Sequence, residues 1–360
     1  MITAAARLRA ATLRDGFAAR GAQVVEPPIL QDASLLLDLY GEDIRARAYV
    51  TSDALRGEQM LRPDFTVPVV QMHMESGASP ARYTYAGEVF RRQDDTPDRD
   101  SEYLQVGFEL IGGTDAAADD AEVFTLMARA TAPLGAVPAT GDIGILMAAV
   151  DGLRTTEPRR AALRRHIWRP RRFRALLDQF AGRIPMPEAR AALLANAEPL
   201  KGAGPIIGLR TEAEINDRIT ALHADTAAGG LSAVEVDLLQ GVLDVRETLP
   251  FALARLRDLA LDLPSIAAAV DRLSARTDAL ASRGVDVDSL AFEASYGRTS
   301  MEYYDGFVFG FAIPSRPDLP PLASGGRYDA LTARLGKGRA IPAVGAVLRP
   351  GLMVALEGEP

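Results

Sequence analysis

From about residue 3 to 20, apolar residues recur every three to four positions, with Arg7, Arg9, Arg14 and Asp15 between them. The chain therefore opens on an amphipathic helix, which Gly21 closes. Gln23 to Leu30 reads as extended but is broken by Pro27 and Pro28, which places it at an edge or interface. Ser34 to Tyr40 returns to helical spacing, and Arg47 to Leu61 carries strand signals around the turn Arg56-Gly57. Asp64 to Glu75 starts extended and is expected to turn helical after Pro68. Residues 81–92 and 101–111 are rich in Tyr, Val, Phe and Leu and flank a polar stretch from Gln93 to Asp100, the pattern of a long β-hairpin. Asp115 to Ala132 is an amphipathic helix, and Gly141 to Leu153 continues the α/β pattern.

From 157 to about 284 aromatics nearly vanish, and Ala, Leu and Arg dominate with helical periodicity. Pro185-Met-Pro187 and Lys201 to Pro205 punctuate this segment. Strands return at 287–296 and 302–313, the second carrying Tyr303, Tyr304, Phe307, Phe309 and Phe311. Ser324 to Asp329 reads as a tight turn into a helix, and Ala343 to Leu348 as a last apolar run. Strands, then helices, then strands predict an α+β fold: an antiparallel sheet flanked by helices, with a core of 1–153 and 285–360 and a helical insertion at 154–284.

Of the 360 residues, 48% are hydrophobic, which is ample for a packed core. The formal net charge of -8 disfavours nucleic-acid binding unless a local basic patch provides it. Cys is absent, so disulfides, thiolate nucleophiles and Cys-ligated zinc are excluded. His73, His166 and His223 have no metal-ligand spacing, so no metal site is expected. No apolar run reaches a membrane span, and the first helix lacks the uninterrupted apolar centre of a signal peptide. A cytoplasmic protein without membrane contact is expected.

The candidate chemistry lies in the hairpin. Residues two apart on a strand share a face. Tyr103, Gln105, Gly107 and Glu109 therefore line one face, and Tyr83, Tyr85, Gly87, Val89 and Arg91 line one face of the partner strand. Turned inward, this face gathers costly polar groups around two glycines expected to leave open space, a setting for a small polar ligand. Periodicity alone equally allows a solvated face with surface tyrosines.

Five segments carry further information: Leu61-Arg-Pro-Asp-Phe-Thr66, Glu88 to Gln93, Leu104 to Gly112, Tyr303 to Phe309 and Ser324 to Leu331. In this order they resemble the catalytic core of histidyl-tRNA synthetase, a class II aminoacyl-tRNA synthetase, over roughly residues 1–350. The resemblance implies a class II synthetase-like sheet and dimerisation through the region around Pro28. It also implies a histidine pocket. Asp64 and Thr66 match positions that hold the ligand's ammonium. Gln105 and Glu109 match those that read its polar groups. Tyr304 and Tyr328 match those at its imidazole end, and Arg91 and Tyr303 complete the set.

The pattern breaks where ATP chemistry is done. Charge building on a phosphorus requires preorganised cations. The family's Glu after the first hairpin strand is Gln93, and its second hairpin Arg is Ser101, although Arg91 and Arg99 remain. Its Arg-Gly-Leu-Asp-Tyr-Tyr is here Thr299-Ser-Met-Glu-Tyr-Tyr, with the nearest arginine displaced to Arg298. Its final arginine is Leu352, and Pro350 is expected to break the helix there. Arg298, Arg339 and Arg349 are candidate substitutes. The anticodon-binding domain expected beyond this motif is not anticipated in a chain of this length. A retained pocket without these arginines resembles the synthetase-like regulatory subunits of short-form ATP phosphoribosyltransferase. That resemblance implies a non-catalytic subunit without cofactor, a homodimer within a hetero-oligomer. It would bind histidine, activate the short catalytic subunit and confer feedback inhibition on the first step of histidine biosynthesis. The alternatives are a truncated synthetase paralogue that activates or transfers an amino acid, and a scaffold whose pocket is vestigial.

Nine arginines lie between Arg154 and Arg174, with Glu157 the only acid and Trp168, the sole Trp, among them. Two readings stand: a docking surface for the catalytic subunit or a phosphate-bearing ligand, or a solvated helix face with Trp168 packed inward. His166 belongs to this surface, while His73 and His223 are expected as surface or packing residues.

Overall fold

A computed structural model describes residues 1–40, 44–93, 100–202, 204–298 and 303–358. The strands are β1 (Gln23–Val24), β2 (Leu30–Asp32), β3 (Val50–Asp53), β4 (Gly57–Leu61), β5 (Ala81–Phe90), β6 (Glu102–Ile111), β7 (Val137–Asp142), β8 (Arg246–Thr248), β9 (Ala291–Glu293), β10 (Phe307–Ala312), β11 (Ala323–Arg327) and β12 (Ala343–Leu348). Nine of them form one sheet in the order β1-β5-β6-β12-β11-β10-β7-β9-β8, while β2, β4 and β3 form a separate small sheet. All pairs from β5 through β7 in that order are antiparallel; β1 joins β5, and β9 joins β7, in parallel.

The helices are α1 (Ala4–Ala18), α2 (Ala33–Tyr40), α3 (Ile44–Arg47), α4 (Thr66–Ser76), α5 (Ala116–Thr131), α6 (Ile143–Asp151), α7 (Glu157–Arg165), α8 (Pro170–Phe180), α9 (Glu188–Ala195), α10 (Glu212–Ala227), α11 (Ala233–Leu243), α12 (Leu249–Asp262), α13 (Ala267–Ser282), α14 (Asp329–Leu335) and α15 (Pro350–Glu357). Caps written in the sequence set several of their starts. The Asp115 carboxylate accepts from Ala117 and Ala118 N–H ahead of α5. Thr211 with Glu214, and Ser232 with Glu235, form reciprocal capping boxes on α10 and α11. Among the described residues no helix is long and apolar enough to cross a membrane.

Alternation along the strands gives the large sheet two unlike faces. One is apolar. Phe108 meets Phe17 of α1 with centroids 5.7 Å apart. Phe307, Phe309 and Phe311, at alternate positions of β10, all pack on Phe124 of α5. The other face carries the polar hairpin residues and is covered by α4, whose neighbouring Phe65 stacks on Tyr85 at 4.3 Å.

Four expectations need correction. Ser324 to Arg327 is not a turn but strand β11, because its glycines allow close packing between β10 and β12. Pro350 does not break the last helix; it opens it, since its missing N–H has no intrahelical partner to lose there. Helix α4 starts at Thr66, two residues ahead of Pro68. Tyr303 and Tyr304 precede β10 rather than lying within it. The 154–284 segment is helical apart from β8, which pairs with β9 at the edge of the large sheet. Within it, α13 packs on α5.

Candidate functional site

The hairpin register pairs Tyr83 with Glu109, Tyr85 with Gly107, and Gly87 with Gln105. Directly opposed residues of an antiparallel pair share a face, so the polar set stands together. It is buried rather than solvated: Gln105, Glu109 and Tyr85 all have 0% exposure. The two glycines do not leave open space, as expected above. A Cβ at Gly107 would overlap the Tyr85 ring, and one at Gly87 would come within 2.7 Å of the Arg62 guanidinium. Each glycine seats a neighbouring polar side chain instead.

Glu109 is the centre. Its carboxylate accepts from Thr66 Oγ1 at 2.9 Å and from Tyr85 OH at 2.8 Å. The Tyr328 hydroxyl donates to its other oxygen. Across the sheet Glu109 pairs with Gly345, and Gly345 pairs with Gly326. A side chain at Gly345 would collide with the Glu109 carboxylate, and one at Gly326 would press on the Tyr304 ring. Burial pushes the Glu109 carboxyl up to about 7, against the pull of the Tyr328, Tyr85 and Thr66 hydroxyls and with a smaller push from the Asp64 charge. Burial, then the Glu109 charge, holds the Tyr304 hydroxyl above the ordinary phenol value.

The other candidates surround this centre. Asp64 is 3% exposed and accepts weakly from Val67 N–H at 3.4 Å. Half-buried Arg91 is fixed by donating from Nε to Pro63 O at 2.7 Å, and its charge reaches Tyr304. Tyr303 packs edge-on against Tyr304 at 4.9 Å and Tyr328 at 6.0 Å. Gln105 differs from all of these. Both its Nε2 and its Oε1 are buried without a hydrogen-bond partner. Such a group carries a desolvation cost of about 1–3 kcal/mol until something satisfies it.

The structure thus brings Asp64, Thr66, Arg91, Gln105, Glu109, Tyr303, Tyr304 and Tyr328 to one face. Sequence reasoning placed Tyr85 on that face but did not count it in the site, although Gly107 opposite it was a signal of close approach. It also missed Arg62, which donates to Glu88 O and Pro27 O and lies 3.9 Å over the Phe65 ring. His73 is a packing residue, buried at 1% exposure with Nδ1 3.0 Å from the Tyr83 hydroxyl. His223 is exposed.

The candidate substitute arginines are engaged elsewhere. Arg298 Nε donates to Ile167 O at 2.7 Å, Arg339 donates to Met74 O, and Arg349 donates to Pro321 O. Arg99 and the stretch Thr299 to Glu302 lie outside the described residues. No cluster of potential metal ligands occurs among the described residues.

Comparison with known proteins gives a consistent result. The histidyl-tRNA synthetase family model matches residues 2–207 and 214–351. The ATP phosphoribosyltransferase regulatory subunits of Brucella ovis and Brucella abortus are each 34% identical, covering 96% of this chain and 96% of their own. A solved structure described as an ATP phosphoribosyltransferase regulatory subunit/histidyl-tRNA synthetase from Bacillus halodurans aligns with a TM-score of 0.68 at 22% identity, over 99% of this chain and 79% of that one. Histidyl-tRNA synthetase from a Nostoc species aligns with a TM-score of 0.63 at 14% identity, over 97% of this chain and 70% of that one. These two structural likenesses establish a class II synthetase-like fold.

Proposed function

Because the chain belongs to the family of ATP phosphoribosyltransferase regulatory subunits, built on the histidyl-tRNA synthetase fold, we propose that it binds free histidine on the polar face of its sheet and passes that signal to a short catalytic subunit. As a member of this family it is the regulatory, not the catalytic, partner of an enzyme complex. The observation that carries the ligand reading is Gln105, whose amide is fully buried and unpartnered on the same face of β6 as the caged Glu109. A buried amide offers one donor side and one acceptor side, which suits a ligand with both. Histidine supplies an ammonium for Asp64 and Thr66, and an imidazole for the Tyr304 and Tyr328 end.

Regulation follows by linkage. Histidine inhibits to the extent that it binds the inhibited state of the complex more tightly than the active one. For homodimerisation, Val24, Ile29, Leu30, Tyr49 and Val50 supply an exposed apolar surface around Pro27 and Pro28. Of the arginines that might have rescued amino-acid activation, Arg339 and Arg349 donate to backbone carbonyls, and Arg298 is held through Nε by Ile167 O with its Nη2 left over.

Calorimetry of the purified chain with histidine tests the ligand. Gln105→Ala should lower affinity by about tenfold or more, the weight of one or two buried hydrogen bonds. It should leave stability unchanged or raised, because it removes two unsatisfied atoms. Absence of histidine binding by the native chain, or unchanged affinity in the variant, would overturn the pocket. Coexpression with the catalytic subunit, assayed with and without histidine, tests the regulatory role. Histidine-dependent ATP–pyrophosphate exchange by this chain alone would return it to the enzymes.

A further inference from the structure

A second set of unpartnered polar atoms lies where the helical segment meets Arg298. Arg298 is 6% exposed. Its Nε is spent on Ile167 O, and its guanidinium carbon lies 5.0 Å over the buried Phe173 ring of α8. These two contacts fix the plane of the group. They leave its terminal Nη2 buried with no hydrogen-bond partner. One residue before Ile167, the Nδ1 of His166 is likewise buried and unpartnered.

Among the described residues, the charges that act on this pair are all positive. Burial, and then the like charge of Arg174, pulls Arg298 down to about 10. Burial, and then Arg169, Arg172 and Arg165, holds His166 below its ordinary value. Neighbouring carboxylates are already used: Glu157 pairs with Arg160 and Arg164, Asp151 with Arg164, and Asp225 with Arg159 and Arg190. Among the described residues no ion pair joins Arg165, Arg172 or Arg174 to an acid. A chain of net charge -8 has thus concentrated uncompensated positive charge around a half-satisfied buried guanidinium. Such a group is costly to keep unless an anion completes it.

We propose that the junction of α7, α8 and Arg298 is a binding site for a small phosphoryl anion of the phosphate or pyrophosphate class. Arg298 Nη2 and His166 are its floor, and Arg165, Arg172 and Arg174 supply its charge. A compact tetrahedral oxyanion matches the planar donors of a guanidinium and reaches a recessed nitrogen. None of its residues belongs to the proposed histidine pocket, so the two can be tested independently.

Trp168, the sole Trp, sits half-buried between His166 and the start of α8, so its fluorescence reports on this junction. Titration of the full chain with pyrophosphate, followed by Trp168 emission and by calorimetry, should give saturable binding that weakens steeply with added sodium chloride. Arg298→Gln should weaken it by about tenfold or more, as expected for a buried charged hydrogen bond. The pair Arg172→Gln with Arg174→Gln, both exposed and joined to no acid among the described residues, should weaken it by about threefold and keeps the test valid if Arg298→Gln does not fold. Gln105→Ala should bind pyrophosphate as the native chain does. Three results would overturn the proposal: no saturable signal at millimolar pyrophosphate, loss of binding in Gln105→Ala, or binding of a glutamate-rich peptide in preference to pyrophosphate.

Discussion

Glu109 and Asp120 are both fully buried carboxylates, on opposite faces of one sheet, and they are neutralised in opposite ways. Glu109 is held by neutral hydroxyls of Thr66, Tyr85 and Tyr328. Asp120 of α5 is held by guanidiniums. Arg327 Nη2 reaches it at 2.8 Å and Arg276 Nη1 at 3.1 Å. Arg276 also bonds Asp142 at 2.6 Å and lies over the Phe307 ring at 4.3 Å. Burial opposes the charge on Arg327, but Asp120 and Asp329 outweigh it and push the guanidinium above its ordinary value. Hydroxyls solvate a carboxylate without fixing its charge, so Glu109 stays free to gain or lose a proton. At Asp120 burial also holds the carboxyl above its ordinary value, against the pull of Arg327 and Arg276, and these ion pairs serve to hold elements together. The first arrangement suits a ligand site and the second a structural joint between α13, α5 and β11.

The largest test of that contrast is to remove one side of the joint. Arg276→Ala should cost about 3–5 kcal/mol in urea denaturation, because it strands Asp142 in the core and leaves Asp120 to Arg327 alone. A loss under about 1 kcal/mol would mean that the joint is not structural.

Next comes the pH dependence of stability. Glu109 titrates near 7 in the folded chain and near 4.5 when unfolded. Its protonated form is thus favoured by folding. The stability it contributes is complete below pH 4.5 and is lost as pH rises to about 7. The swing is about 3 kcal/mol at most. Glu109→Gln should remove this slope between those limits, and denaturation curves across the range would show a parallel slope in both proteins if the assignment were wrong.

Tyr328→Phe removes one hydroxyl from the cage and should cost about 1–3 kcal/mol at neutral pH. It should also raise the Glu109 value further, since that bond favours the anion. Carboxyl-resolved spectroscopy of the two proteins would read the shift directly. The smallest effect is expected for Arg246→Ala, whose partner Glu293 is 3.4 Å away at the surface. It should change stability by no more than about 1 kcal/mol, which sets the scale for an exposed pair.

Much of this contrast was legible on one side and not on the other. The Glu109 face follows from the two-residue alternation of Tyr83 to Arg91 and Tyr103 to Glu109, because register converts that alternation into proximity. The role of Gly107 was misread because a glycine in sequence does not say whether its space is empty or taken by Tyr85. The Asp120 joint left no mark. Arg276 lies in an Ala-rich helix beside the exposed Arg272, with nothing local to tell the two apart, and its partners are 156 and 134 residues away. Arg327 sits in a Gly-Gly-Arg sequence whose local preference is for a turn. The pairing of β11 between β10 and β12 overrides that preference, and no local window contains those strands.

The bond from Tyr328 to Glu109 spans 219 residues. Strand β6, which carries Glu109, is flanked by β5 and by β12. The first partner directly precedes β6 in the chain, while the second follows it by more than two hundred residues. Until β12 arrives, one edge of β6 stays unpaired and Glu109 lacks part of its cage. A ribosome-bound chain therefore passes through a long interval with an open, sticky strand edge. Closing so distant a contact adds little to the equilibrium cost, since loop entropy grows only with the logarithm of length, but it slows folding. The carboxylate cage around Glu109 is therefore completed only once Tyr328 and β12 have joined the sheet.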